Sequence, residues 1–145
     1  MRIAVVGVGA VGGCFGARIA AAGEDVLFVA RGAHGRALRT VGLRLLSPLG
    51  DLHLAPVRVL APGERSDRPV GLVLVAVKMY DLPAAGPAVA ALVGPDTLVL
   101  PVENGVEAGE ILRPFVAPAR VAPAVAYSGG QLEAPGVIRH VGTAA

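Results

Sequence analysis

Tryptophan is absent from this 145-residue chain, cysteine occurs once, and aromatic residues amount to only 3%. So few rings offer no stacking platform for unpaired bases, which argues against single-stranded DNA or RNA as a partner. A lone cysteine excludes an intrachain disulfide framework and a cysteine-based zinc site, and fits a reducing compartment. Charge is scarce too. Only 17% of residues are charged and the net charge is +2, from scattered arginines rather than a basic run, so no nucleic-acid partner is expected. No stretch reaches ~18 apolar residues without a charge, so no spanning helix and no membrane partner are expected. Met1-Arg2 and the apolar stretch up to Ala17, with Cys14 after Val11-Gly12-Gly13, look superficially like a lipoprotein signal. Gly7, Gly9, Gly12, Gly13 and Gly16 interrupt them, however, and weaken the helix such a signal needs. A soluble, cytoplasmic protein is the expectation.

What is present is apolar. Hydrophobic residues make up 54% of the chain, which excludes disorder. The 20 glycines and 12 prolines follow no Gly-X-Y period, which excludes collagen. The length suits one domain, burying roughly 70% of the surface its unfolded chain exposes.

Residues 2–6 read as a buried strand ending in glycines, 10–22 as a small-residue helix stopped by Gly23, and 25–30 (DVLFVA) as a second strand. Strand, glycine turn, helix and strand within thirty residues form a βαβ unit and call for a parallel sheet covered on both faces. A short helix over 33–41 ends at Gly42. Leu43-Arg44-Leu45 and Leu52-His53-Leu54 alternate around a Pro48–Asp51 turn and predict an inserted β-hairpin. The polar segment 62–69 is a loop, and 71–77 (GLVLVAV) reads as a central parallel strand. A helix over 82–93, a strand over 97–102, a helix over 106–115, a strand over 120–127 and a hairpin around Pro135-Gly136 complete the chain. The predicted fold is a doubly wound α/β domain, mostly parallel, with an inserted β-hairpin.

Gly7-Val8-Gly9-Ala10-Val11-Gly12 is a G-x-G-x-x-G loop between a strand and a helix. Gly7 makes the tight turn, Gly9 lets a pyrophosphate approach the backbone, and Gly12 permits close helix–strand packing. The helix N-terminus, at Ala10 and Val11, offers unpaired N–H groups and positive dipole to phosphates. A plain glycine turn is the bland alternative; strand, spacing and helix together favour a dinucleotide. At the end of the second strand an acid would mark NAD, but this chain reads Phe28-Val29-Ala30-Arg31-Gly32, with Asp25 at the wrong end. Arg31 puts a guanidinium fork where a 2′-phosphate would lie, so NADPH is expected rather than NADH, and FAD is less favoured. Lys78 follows a strand at its carboxyl end, where such sheets bind ligands; it equally suits a charge that simply ends a strand. Asn104-Gly105 is first of all a turn pair, on the same edge.

The set GVGAVGGCFGARIAAAG, VLFVARG, VKMYD, PVENGV and GVIRHVG, in this order, resembles the ketopantoate reductase (2-dehydropantoate 2-reductase) family across essentially all 145 residues. The resemblance implies a Rossmann-type NADPH-binding domain over 1–145 and a helical C-terminal domain, not contained in this chain, that supplies the catalytic residues. It implies reduction of 2-ketopantoate to pantoate, on the way to pantothenate and coenzyme A. It places Gly7, Gly9 and Gly12 at the pyrophosphate, Arg31 at the 2′-phosphate, and Lys78 and Asn104 near the nicotinamide and the 2-keto acid substrate. Glu103 departs from the glutamine usual there, and a carboxylate cannot donate as an amide does. The isolated chain is expected to bind NADPH without turnover, and to self-associate through apolar surface. Two other functions stay open: a stand-alone dinucleotide-binding module, and a related NADP-dependent 2-keto acid reductase.

The remaining candidates are bland. Cys14, placed in the first helical turn, reads as a small hydrophobe. His34, His53 and His140 lack metal-ligand spacing and read as solvated or structural. Ser128 lacks a nucleophile elbow, and no metal site is expected.

Overall fold

Strand β1 (Arg2–Val6) is buried at all five positions, as a strand in the middle of a parallel sheet must be. The computed structural model, which describes residues 1–103, 107–122 and 124–142, continues from it through α1 (Ala10–Ala21), β2 (Asp25–Val29) and α2 (Gly32–Val41). There follow β3 (Leu43–Leu46), β4 (Leu52–Leu54), β5 (Arg58–Leu60), β6 (Leu72–Val75), α3 (Leu82–Ala90) and β7 (Leu98–Pro101). The chain then runs through α4 (Ala108–Leu112), β8 (Gly129–Ala134) and β9 (Val137–Val141). Short 3₁₀ turns lie at Met79–Asp81 and Pro118–Arg120.

Five strands form a parallel sheet in the order β5-β2-β1-β6-β7. Alternation along each strand feeds two cores. Ala4, Val6, Leu27, Val29, Val73 and Val75 pack with Leu82 and Val89 of α3 and Leu112 of α4. Val5, Val26, Phe28 and Leu74 face the other way, against Cys14 and Ala17 of α1, Leu38 of α2 and Ile138 of β9. The small residues of α1 let it lie close: a Cβ on Gly16 would stand 2.6 Å from the Phe28 ring, and one on Gly13 1.8 Å from Ile138 Cδ1.

The predicted hairpin is present, pairing Leu43 with Leu54 and Leu45 with Leu52. It is half of a second sheet, β4-β3-β9-β8, in which β3 runs parallel to β9 about ninety residues later in the chain. Three further departures have local causes. β5 has only three residues between Pro56 and Pro62, too few to show a period. The strand expected over 120–127 is not regular: it starts as a 3₁₀ turn and then touches β7 through a Val99–Val121 bridge. Two further bonds, Ala122 N–H to Val99 O (2.9 Å) and Ala124 N–H to Pro101 O (3.1 Å), complete that contact. The helix expected over 106–115 is the five-residue α4.

At the amino edge of the large sheet an arginine is buried. The Arg2 side chain is 3% exposed and donates to Asp25 (2.8 Å), to Ser66 Oγ (2.9 Å) and to Asp67. Asp25 also meets Arg58 (3.5 Å) and Arg68 (3.3 Å). The Arg2 hydrogen bond holds the Asp25 carboxyl below its ordinary range. A depressed acid contributes stability that is full above the unfolded-state value and is lost as pH falls through the folded one. Arg2→Met should cost about 2 kcal/mol at pH 7, less than a fully buried pair because Asp25 keeps water and two arginines. Urea unfolding should show this difference shrinking as pH falls below about 4, where the unfolded state takes up the proton first, and vanishing only below the folded value.

Candidate functional site

Because β1, β2, β6 and β7 are parallel and in register (Val6 beside Val29 and Val75, Val75 beside Pro101), their carboxyl ends form one edge. Gly7, Arg31, Lys78 and Glu103 all follow strands ending there. β1 connects to β2 on one side and has β6 on the other, so the chain diverges at this point, where open α/β sheets form their ligand crevice.

The glycine loop is built as its spacing predicts. Gly7 has φ +93°, the left-handed region, and a Cβ on it would lie 2.8 Å from the Val77 nitrogen, so only glycine fits. A Cβ on Gly12 would stand 2.0 Å from the Gly7 carbonyl oxygen. Gly9 differs from both. Its φ of −89° and ψ of −153° are open to any residue, and a Cβ there would meet nothing within 4 Å. Gly9 is therefore required for no fold contact; it leaves an open cradle over the start of α1. No side chain caps that helix, and its first internal bond runs from Gly13 N–H to Gly9 O (2.8 Å). The N–H groups of Gly9, Ala10, Val11 and Gly12 have no partner among the described residues. Four unpaired donors beside this open cradle, at the positive end of a twelve-residue helix, suit a pyrophosphate.

Arg31 is exposed, occupies the N-cap of α2 and makes no ion pair among the described residues. Asp25 is held at the opposite edge; the acid that follows the neighbouring strand β5, Glu64, accepts from Ala61 N–H (2.6 Å). Lys78 is exposed, one residue beyond Val77 where that residue abuts Gly7, and its carbonyl accepts from Asp81 N–H (2.8 Å). Asn104 lies outside the described residues.

Glu103 is buried, at 8% exposure, with neither carboxylate oxygen hydrogen-bonded among the described residues. Burial pushes its carboxyl up to about 7. An ionised glutamate replacing an amide would lose a donor; a protonated one restores it, because a carboxylic acid both donates and accepts. The sign is opposite to that of Asp25: a raised acid destabilises as pH rises from the ordinary carboxylate value towards 7. Glu103→Gln should match the parent near pH 4.5 and exceed its stability by ~2 kcal/mol at pH 8, measured by denaturant titration.

Two residues read as bland take defined places. Cys14 is the fifth residue of α1 rather than a first-turn residue; it is buried, and burial raises its thiol. His34 is a ligand of the backbone: its Nε2 meets the Val8 carbonyl (2.7 Å) and its Nδ1 accepts from Gly136 N–H (2.9 Å). The sequence marks neither contact, because Val8 and Gly136 are 26 and 102 residues from it. Among the described residues no three His, Cys, Asp or Glu side chains are grouped to hold a metal, and no helix is long and apolar enough to cross a membrane.

Comparison with known proteins agrees with this architecture. The chain is 35% identical over 162 aligned residues to a 2-dehydropantoate 2-reductase of Mesorhizobium japonicum, covering 97% of this chain and 49% of that protein. The crystal structure of 2-dehydropantoate 2-reductase from Geobacter metallireducens superposes with a TM-score of 0.90 at 32% identity, over 99% of this chain and 47% of that one. D-mandelate dehydrogenase, solved with NADH and anilino(oxo)acetate, also gives 0.90, at 25% identity over 99% and 46%. The chain thus spans about half the length of the relatives it matches. Residues 3–145 match the family described as ketopantoate reductase PanE/ApbA, and the chain belongs to that family.

Proposed function

We propose that these 145 residues are the cofactor-binding half of an NADPH-dependent reductase that converts 2-dehydropantoate to pantoate, serving pantothenate and coenzyme A synthesis in the cytoplasm. The observation that carries the reading is the open cradle over Gly9, set between two glycines that tolerate no side chain. Gly9, Ala10, Val11 and Gly12 hold the pyrophosphate through backbone N–H groups, and Arg31 holds the 2′-phosphate. Lys78 and Asn104 approach the nicotinamide and the substrate carboxylate. When bound, the nicotinamide supplies a hydride for the carbonyl carbon of the 2-keto acid. Lys78, as a mobile point charge, attracts the substrate anion to that edge and orients it. The residue that protonates the carbonyl oxygen belongs to the helical half described for the family.

The likeness to D-mandelate dehydrogenase favours a second reading, a reductase of another 2-keto acid on the same cofactor half. Fluorescence titration with NADPH tests cofactor binding, and NADPH oxidation with 2-dehydropantoate or phenylglyoxylate tests the substrate. Saturable binding is expected. Turnover by residues 1–145 alone is expected to be negligible, since general acid catalysis typically contributes ~10²–10⁴-fold and substrate orientation more. Turnover matching a complete reductase would reject the division into halves. Self-association through exposed apolar side chains such as Tyr80 and Tyr127 belongs to the same proposal; a monomer by light scattering would remove it.

A further inference from the structure

His34 stands third in α2, three residues after Arg31, and its ring joins segments from three parts of the chain. Gly136 N–H donates to Nδ1 (2.9 Å), so Nδ1 carries a lone pair, the proton sits on Nε2, and Nε2–H donates to the Val8 carbonyl (2.7 Å). Only the neutral Nε2–H tautomer makes both bonds; a second proton would set Nδ1–H against Gly136 N–H. The Val8 carbonyl shares a planar trans peptide with Gly9 N–H, so holding one fixes the other in the opposite direction. That N–H has no partner among the described residues and belongs to the glycine cradle. Gly136, with φ +79°, is the turn of the β8–β9 hairpin, and its carbonyl accepts from Arg44 N–H (2.8 Å), which ties this end of the clamp to the second sheet.

We infer that His34 is a positioning residue of the dinucleotide site: as neutral imidazole it sets the Val8–Gly9 peptide for phosphate, and its protonation releases the loop and weakens binding. This rests on the dinucleotide reading above. Burial lowers the ring's proton affinity and the Val8 bond opposes that, with no charged group contributing. Residues 7–13 and 135–137 carry no titratable side chain. The charged or titratable groups on the surrounding elements are Arg31 at the N-cap and Arg36 and Arg39 in α2, Cys14 and Arg18 of α1, Arg44 of β3, His53 of β4, whose Nε2 meets the Val41 carbonyl of α2 (2.9 Å), and Glu64, which follows β5 and accepts from Ala61 N–H (2.6 Å). To these are added Arg58 of β5, which is paired with Asp25 and Asp67, and on the hairpin His140 together with Glu133 and Arg139, which pair with each other.

NAD⁺ is the suitable probe, because a 2′-phosphate, whose second pKa is about 6, would titrate alongside the ring. Calorimetry on the 145-residue chain should show NAD⁺ affinity falling about fivefold from pH 8 to the foot of the ring's titration, as followed by nitrogen NMR, the equivalent of one hydrogen bond. His34→Gln, whose amide can donate and accept but does not titrate, should flatten this dependence. Nitrogen NMR of the unmodified chain should show the Nε2–H tautomer, and the Gly9 amide signal should move with the ring's titration. Affinity that is constant or tighter across the ring's titration, the same fall in His34→Gln, or a Gly9 amide indifferent to the ring would each overturn the proposal. Failure of both NAD⁺ and NADPH to bind at pH 8 would reject the dinucleotide reading itself. The ring NMR would still decide whether His34 governs the loop.

Discussion

Gly9→Val is expected to abolish NADPH binding while leaving the chain folded. The backbone at Gly9 is extended, with a negative φ, and a Cβ there meets nothing within 4 Å, so the variant loses no packing. The isopropyl group instead fills the cradle over the N–H groups of Ala10, Val11 and Gly12. Each charge-assisted hydrogen bond to phosphate contributes roughly 1.5–3 kcal/mol, so losing two weakens binding at least about 100-fold. Gly12→Ala is the contrast. Its Cβ would stand 2.0 Å from the Gly7 carbonyl oxygen and 2.9 Å from Ala76 Cβ, so helix and strand must separate and the fold itself suffers. Thermal unfolding and fluorescence titration together separate the two outcomes. A folded Gly9→Val protein that still binds NADPH would show that the loop is only a turn.

This contrast also marks where sequence reasoning reaches and where it stops. G-x-G-x-x-G, the strand before it and the helix after it are contiguous, so their joint geometry was readable. The same holds for Arg31 at the end of β2 and for the β3–β4 hairpin. What distinguishes Gly9 from its neighbours was not readable. Spacing does not say which glycine needs a positive φ; the structure puts it at Gly7 (+93°) and not at Gly9 (−89°). The pairing of β3 with β9 is not legible in the sequence because the two strands are remote along the chain, and each can satisfy its alternation within its own hairpin. His34 passed as bland for the same reason: its partners are carbonyl and amide groups, which every residue carries. Glu103 was visible as an acid at an amide position, but its protonation depends on burial that only the folded chain creates.

Arg31→Ala is expected to erase a preference for NADPH over NADH by weakening NADPH alone. The guanidinium stands exposed at the N-cap of α2, just past the carboxyl end of β2, and makes no ion pair among the described residues. Its planar fork matches a phosphate bidentately. The side chain is exposed, so part of the attraction is screened by water and salt, and the gain lies at the lower end of the 1.5–3 kcal/mol range, about tenfold in affinity. Titrations at pH 8, where the 2′-phosphate carries its full charge, should therefore give NADPH about tenfold tighter than NADH in the parent chain and equal affinities in Arg31→Ala. Arg31→Lys should retain only part of the preference, since an ammonium contributes charge without the fork. Raising the salt should narrow the parent's preference and leave the alanine variant unmoved. Equal affinities in the parent, or an undiminished preference in Arg31→Ala, would remove Arg31 from the site and leave the 2′-phosphate without a partner there.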